Sequence, residues 1–463
     1  MITEKFFLNR FSYPILFIPF LLITGPFLPD LFLSLSCLFF LFLIFKTKNY
    51  LIFNNLFFKI FLTFWILIII SSLLSDNLLM SLKSSFFYIR FGLFIIILKF
   101  FFNKIANFEK KFLLIGFISI FIVILSVLVE YIFNRYGYDG KDVNDVYNIY
   151  NNITHNLIRF GFNFNWSDNR ISGLFASEGV AGSYVLRLYP FFFIFLLNNI
   201  YSSKISKKLK FGFNLFFILS VFTVLVSGER SAFILLMINI FLTLIIVKKL
   251  RLFFKYSIVA SIIIVIFSIN FDPVLKRILQ TSLVNLKKTS NTEHQFNNIP
   301  DTDPEPKKGE QNIYLISAIH QGHFYGAWKI FLDNKFLGAG MKGYRHQCYN
   351  NTKYKNDKKI YCSTHPHNTL MQFLSETGIS GTLFYFSILS IVIYKIIYFF
   401  FQVNFKKKIT DYNFDSKICA LVGIFINIWP IASTGNFFNN WLSIIYYLPI
   451  IFYLNKSKIL NNA

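Results

Sequence analysis

The strongest constraint on this chain is its apolar runs. Twelve stretches hold mostly Phe, Leu and Ile with few charges, at about 11–25, 28–45, 56–74, 82–102, 112–133, 178–198, 211–228, 231–247, 254–271, 377–401, 417–434 and 440–455. A helix crossing the hydrocarbon core needs about 20 mostly apolar residues. Inside a bilayer the backbone must satisfy its own hydrogen bonds, so such runs fold as helices. The expected fold is an all-α polytopic membrane protein with about twelve transmembrane helices, a single membrane domain over 1–463.

Charge then supplies orientation. The 46 Lys+Arg against 22 Asp+Glu give a net +24, yet only 15% of residues are charged. Soluble proteins carry about 25%, so a nucleic-acid binder with a polar basic surface is excluded and no nucleic-acid partner is expected. Counting connections alternately from the N-terminus puts twenty Lys and Arg on one side, from Lys5 and Arg10 to Lys456 and Lys458. The short connections opposite, 26–30, 75–81, 229–230 and 435–439, carry one, Arg230. Short cytoplasmic loops collect Lys and Arg, so both termini are expected in the cytoplasm. The first run has no small-x-small cleavage site and a second follows at once, so it reads as a span and not a leader.

Two long segments then fall outside, 134–177 and 272–376. Within the second, Ser290 to Gln311 reads as a polar linker, and 313–333 reads as an amphipathic helix with period near 3.6. All seven histidines, His155, His294, His320, His323, His346, His365 and His367, lie in these two segments. Polar residues collect in polar segments, but imidazole is also the group best suited to proton transfer near neutral pH.

The densest cluster is Ser363-Thr364-His365-Pro366-His367-Asn368. Pro366 biases His365 toward an extended backbone, and Thr369 onward reads as a helix entering the membrane. His365, His367 and Asn368 thus stand at a helix start, which favours anions such as phosphate. The alternative is an Asn N-cap beside a surface His pair. A metal held by His365 and His367 with His320 and His323 lacks a carboxylate or thiol at ligand spacing, so no metal is expected. Gly338, Gly340 and Gly343 let the backbone approach a ligand closely, and Lys342 and Arg345 add cations beside them. In Ser227-Gly228-Glu229-Arg230-Ser231, Arg230 is a functional candidate at the bilayer edge, the alternatives being snorkelling to headgroups or an internal pair with Glu229. Cys348 and Cys362 flank a basic loop in an oxidising compartment and are expected to pair, whereas Cys37 and Cys419 read as packing residues. Arg90 and Arg187 interrupt spans and face either a polar lipid head or a carboxylate such as Glu178.

Three of these motifs together carry a family resemblance. The turn Ser227-Gly228-Glu229-Arg230-Ser231, the helix end Asn334-Lys335-Phe336-Leu337-Gly338-Ala339-Gly340, and His365-Pro366-His367-Asn368 followed by Leu374-Ser375-Glu376-Thr377-Gly378 resemble the O-antigen ligase / O-antigen polymerase superfamily of bacterial inner membranes. The resemblance covers 211–390. It implies a C-type glycosyltransferase fold with a large periplasmic loop, an enzyme needing no metal, cofactor or nucleotide sugar, and a glycan donor borne on undecaprenyl diphosphate. Ligases of the family pass the glycan to lipid A-core, and polymerases pass it to another repeat unit. The family's catalytic His falls on His367, with His365 as a neighbour. Its Arg in the short turn falls on Arg230, assigned to the diphosphate. A second family Arg has no direct match: the corresponding helix carries His320 and His323, with Arg277 and Arg345 further off, and Arg345 is taken as the second diphosphate cation. Asn368, His320, His323, Gly338, Gly340 and Glu376 are assigned to supporting the loop and substrate. One large loop ending in the His motif resembles a ligase; polymerase is the alternative, with a protein glycan ligase behind it. A transporter or flippase of lipid-linked glycans would need polar residues along a path through the membrane, whereas here they gather at one face.

Overall fold

The computed structural model describes residues 4–136, 171–202, 205–271, 275, 318–431 and 433–455. His155, Arg277, His294, the linker 290–311 and most of the 134–177 segment lie outside these residues. Eighteen α-helices follow in order: α1 Glu4–Leu16, α2 Ile18–Leu21, α3 Phe27–Thr47, α4 Leu56–Leu73, α5 Leu78–Phe86, α6 Ile89–Lys104, α7 Phe108–Tyr136, α8 Ala181–Tyr201, α9 Lys207–Val226, α10 Arg230–Ile246, α11 Lys248–Phe253, α12 Lys255–Phe271, α13 Ala318–Asp333, α14 Gly343–Asn350, α15 Thr352–Lys355, α16 Thr369–Asn404, α17 Tyr412–Asn427 and α18 Asn440–Leu454. No β-strand occurs among the described residues; one isolated bridge joins Asn368 to Ser433. The protein is an all-α polytopic membrane protein.

Local chemistry sets the helix starts. Asn55, Asn77, Ser206, Asp411 and Asn439 each accept a backbone N–H from the first turn of α4, α5, α9, α17 and α18, satisfying donors that a helix leaves open. Gly25, at φ 100°, makes the sharp turn ahead of α3.

Among the described residues seven helices, counting Leu78–Lys104 as one, are long and apolar enough to cross a membrane, and α1 with α2, bent by 44°, makes an eighth if the pair is one broken span. The expected twelve are not all reached on that criterion. The other four expected spans fall on shorter helices, α10, α12, α17 and α18. The apolar run at 417–434 shows why. The α17 helix stops at Asn427, three residues before Pro430, whose ring disfavours helical backbone in the preceding residue. The rest of that run is an irregular segment.

A continuous core runs from Phe7 to Phe452. The centre of the bundle is α8, with 89% of its apolar window buried inside the protein. Gly423 of α17 lets Pro190 of α8 approach: a Cβ there would lie 2.8 Å from Pro190 Cγ and 3.3 Å from Pro449 Cβ of α18. A second, smaller cluster of Ala327, Ile330, Ala339, Tyr344, Cys348 and Tyr354 joins α13, α14 and α15. Cys348 and Cys362 are bonded, with S–S 2.04 Å.

Candidate active site

The site is built on a broken helix. The backbone of α16 leaves helical geometry at Gly378 (φ 64°, ψ −161°), and the loop 335–340 lies in the break. Ala339 N–H donates to Ser375 O at 2.9 Å and Gly340 N–H to Glu376 O at 3.0 Å. In return, Ile379 N–H donates to Lys335 O at 2.8 Å and Ser380 N–H to Phe336 O at 3.2 Å. Groups that the break would orphan within the bundle are thereby satisfied, the condition for irregular backbone at membrane depth. Ser71 Oγ of α4 reaches Leu337 O at 2.5 Å and Glu376 O at 2.8 Å. Two sequence motifs, the Gly338–Gly340 turn and Leu374–Gly378, therefore form one structural unit.

At the start of α16 the structure brings together four histidines, two from α13 and two from the segment leading into α16. Ring centroids of His365 and His367 are 4.0 Å apart, His323 and His367 5.1 Å, and His320 and His367 5.6 Å. Nδ1 of His323 lies 2.6 Å from Tyr361 O. A carbonyl only accepts, so this nitrogen carries the proton and Nε2 holds the lone pair. Ser363 Oγ donates to His365 O at 2.9 Å and lies 3.1 Å from His367 Nε2. With the hydroxyl proton committed to the carbonyl, His367 donates from Nε2 and keeps its lone pair on Nδ1.

Three of these imidazoles, His323, His365 and His367, are shifted toward the neutral form. Burial lowers His365 to about 3, with His367, His323 and Arg345 adding repulsion. Burial lowers His367 to about 4, with His323 and His320 adding to it. His323 is lowered by burial against the hydrogen bond to Tyr361. Neutral imidazoles at pH 7 can accept protons.

Cations complete the cluster. Arg345, partly buried on α14, lies close enough to bear on His365, and its Nε is buried without a hydrogen-bond partner. Lys342, in left-handed backbone at φ 61°, has its ammonium lowered by burial and then by Arg345, against the attraction of Glu376, with Lys83 of α5 adding repulsion. Glu376 is fully buried and accepts from Gln372 Nε2 at 3.0 Å. Lys342 thus lies near Arg345, and Lys83 near Lys342. Lys83 was hidden in the sequence because its short helix merges into the apolar run at 82–102. His346, one of the seven histidines counted in the sequence, lies on α14.

The irregular segment after α17 braces the histidine motif. His367 takes left-handed backbone at φ 53°, a conformation costly for a residue with a Cβ. Its carbonyl accepts from Thr434 N–H at 2.9 Å. Asn368 caps α16 through Met371 N–H at 3.0 Å and donates through Nδ2 to Pro430 O at 2.8 Å. Gln372 accepts from Phe437 N–H at 2.9 Å and donates to Asn436 Oδ1 at 2.8 Å.

Arg230 stands exposed as the first residue of α10. Its neighbour Glu229 is engaged with α8: the carboxylate accepts from Gly182 N–H at 2.6 Å, from Ser183 N–H at 3.2 Å and from Ser183 Oγ at 2.6 Å. The acid of this turn thus caps the central helix. Arg90 finds its carboxylate in Asp30, at 2.8 Å. Arg187 reaches Asn427, not Glu178.

With this geometry in place, comparison with known proteins gives a class. Residues 215–386 match the family model described as O-antigen ligase, a stretch running from α9 through the histidine motif into α16. Over that stretch the chain is similar to the O-antigen ligases. No curated protein matches the chain.

Proposed function

We propose that the chain is an O-antigen ligase-like glycosyltransferase. It moves a glycan from undecaprenyl diphosphate to a hydroxyl of lipid A-core, at the periplasmic face of the bacterial inner membrane, with both termini in the cytoplasm. The observation that carries this reading is the gathering of His320, His323, His365 and His367, with Arg345 close enough to bear on His365 and Lys342 on Arg345.

The chemistry follows from that placement. The acceptor hydroxyl gives its proton to the lone pair of His367 as its oxygen bonds to the sugar C1. The C1–O bond to the diphosphate breaks, and its electron pair leaves with the phosphate. The growing negative charge is met by Arg345 and Arg230, with Lys342 beside them; fixed cations in a partly dry site stabilise it strongly. An arriving diphosphate also raises the nearby imidazoles from their depressed values toward neutrality, where a general base works best. His365, His320 and His323 shape the pocket around His367, and Asn368, Glu376, Gly338 and Gly340 hold its floor.

The test is a strain lacking the gene, with surface glycans sized on a gel. Loss of all attached polymer, restored by the wild-type chain and not by His367→Ala, is the ligase result. Attachment of a single repeat instead assigns the chain to the polymerases. An unchanged glycan pattern overturns the proposal.

A further inference from the structure

One buried cation takes no part in the histidine site. Arg187 on α8 is 3% exposed, Asn427 at the end of α17 is 1% exposed and Tyr446 on α18 is 4% exposed. Arg187 donates from Nη1 to Asn427 Oδ1 at 2.9 Å, and its guanidinium lies 4.7 Å from the centre of the Tyr446 ring. Among the described residues no carboxylate pairs with it. Three further groups here are buried without a hydrogen-bond partner: Arg187 Nε, Asn427 Nδ2 and the Tyr446 hydroxyl. Two of these only donate, and the third can.

A guanidinium cannot shed its charge by losing a proton. One neutral hydrogen bond and one ring face return little of what its removal from water costs. The C-terminus of α17, which ends at Asn427, offers about half an elementary negative charge at most, and Ile428 N–H already draws on its last carbonyls, from Ile424 and Phe425. The remaining requirement is an acceptor of one negative charge, small enough to sit among side chains so thoroughly enclosed. A dianionic phosphate would overshoot that charge.

We propose that Arg187, Asn427 and Tyr446 form a binding site for a small monovalent anion of the chloride class, inside the helical bundle and separate from the histidines. The anion joins α8, α17 and α18 electrostatically, just before the segment that braces His367.

The full-length chain in detergent tests this directly. Its thermal midpoint is followed as sodium gluconate is replaced by sodium chloride at constant ionic strength. The wild type is expected to rise by about 2 °C for each tenfold increase in chloride above half-saturation. Arg187→Met is expected to lose that dependence and to match or exceed the wild type in gluconate, because the uncompensated charge is gone. A wild-type midpoint indifferent to chloride, or the same slope in Arg187→Met, overturns the proposal. Should Arg187→Met fail to accumulate, Asn427→Leu keeps the charge and removes one donor. Its half-saturating chloride is then expected to rise tenfold or more, and an unchanged value counts against the site. None of these readouts depends on glycan transfer.

Discussion

Gly338 and Gly378 face each other across the break in α16 with no room for a side chain on either. A Cβ on Gly338 would lie 2.5 Å from Gly378 N, and one on Gly378 would lie 2.6 Å from Gly338 N. Both also hold positive φ, 71° and 64°. Alanine at either position meets backbone, which cannot swing aside, and adds left-handed strain. We expect a loss of about 2–4 kcal/mol, seen as lower folded yield and thermal midpoint. Gly212 on α9 has open space around it, so Gly212→Ala should be neutral or stabilising by up to about 1 kcal/mol.

His367→Ala should leave insertion and accumulation intact and reduce glycan transfer by about 10²–10⁴-fold, the range for a lost general base. In vitro transfer with purified lipid-linked donor measures it. His365→Ala should cost less, since that ring meets His367 side by side at 4.0 Å and acts through it. Wild-type rates from His367→Ala would remove the base assignment.

The same rings make stability pH-dependent. In the folded protein His365 and His367 lie near 3 and 4, below their ordinary 6.5. Between those values the unfolded chain binds more protons than the folded one, so stability rises with pH across that window. It is fully present above about pH 6.5 and is lost as the pH falls through about 4 for His367 and about 3 for His365. A His365→Gln/His367→Gln double variant should flatten the midpoint-against-pH curve there. An equal slope in both proteins would place the acid sensitivity elsewhere.

Glu229 and Arg230 are neighbours that should separate cleanly. Glu229→Gln weakens the cap on α8 and should lower stability by about 1–2 kcal/mol. Arg230→Lys should leave the thermal midpoint near wild type while reducing transfer, because Lys cannot give phosphate a forked pair of hydrogen bonds. Full activity in Arg230→Lys would return that residue to a headgroup role.

Gln372→Leu removes the acceptor of Phe437 N–H and the donor to Glu376. Unpartnered buried groups cost about 1–3 kcal/mol. Transfer should fall further than stability alone explains, because His367 relaxes from its left-handed backbone; kcat is the quantity expected to drop, with KM little changed.

Much of this arrangement was written in the chain. The apolar runs fell on helices or helix pairs, Asn368 read as an N-cap, and the amphipathic period placed α13 ahead of the glycine loop. Each of these signals is local, set by a few residues of spacing or one cap. What escaped was non-local or ambiguous. The pairing of Gly338 with Gly378 leaves no periodic trace. The segment around Trp429 and Ile431 is as apolar as a span, so its role as a brace for His367 was masked. That Glu229 caps the start of α8 also escaped, because sequence adjacency to Arg230 says nothing about a helix start 46 residues away. Lys83 vanished into an apolar run because α5 and α6 are separated only by a turn at Phe87 and Tyr88.

The hydrogen bonds that tie His367, Asn368 and Gln372 to Pro430, Thr434, Asn436 and Phe437 cross the limit of the matched stretch, which ends at 386. Grafting 215–386 alone onto the scaffold of a relative would import the reacting imidazoles without their backbone support. A transplantable unit must run at least through Phe437, so swap experiments between family members should place their junctions inside α18.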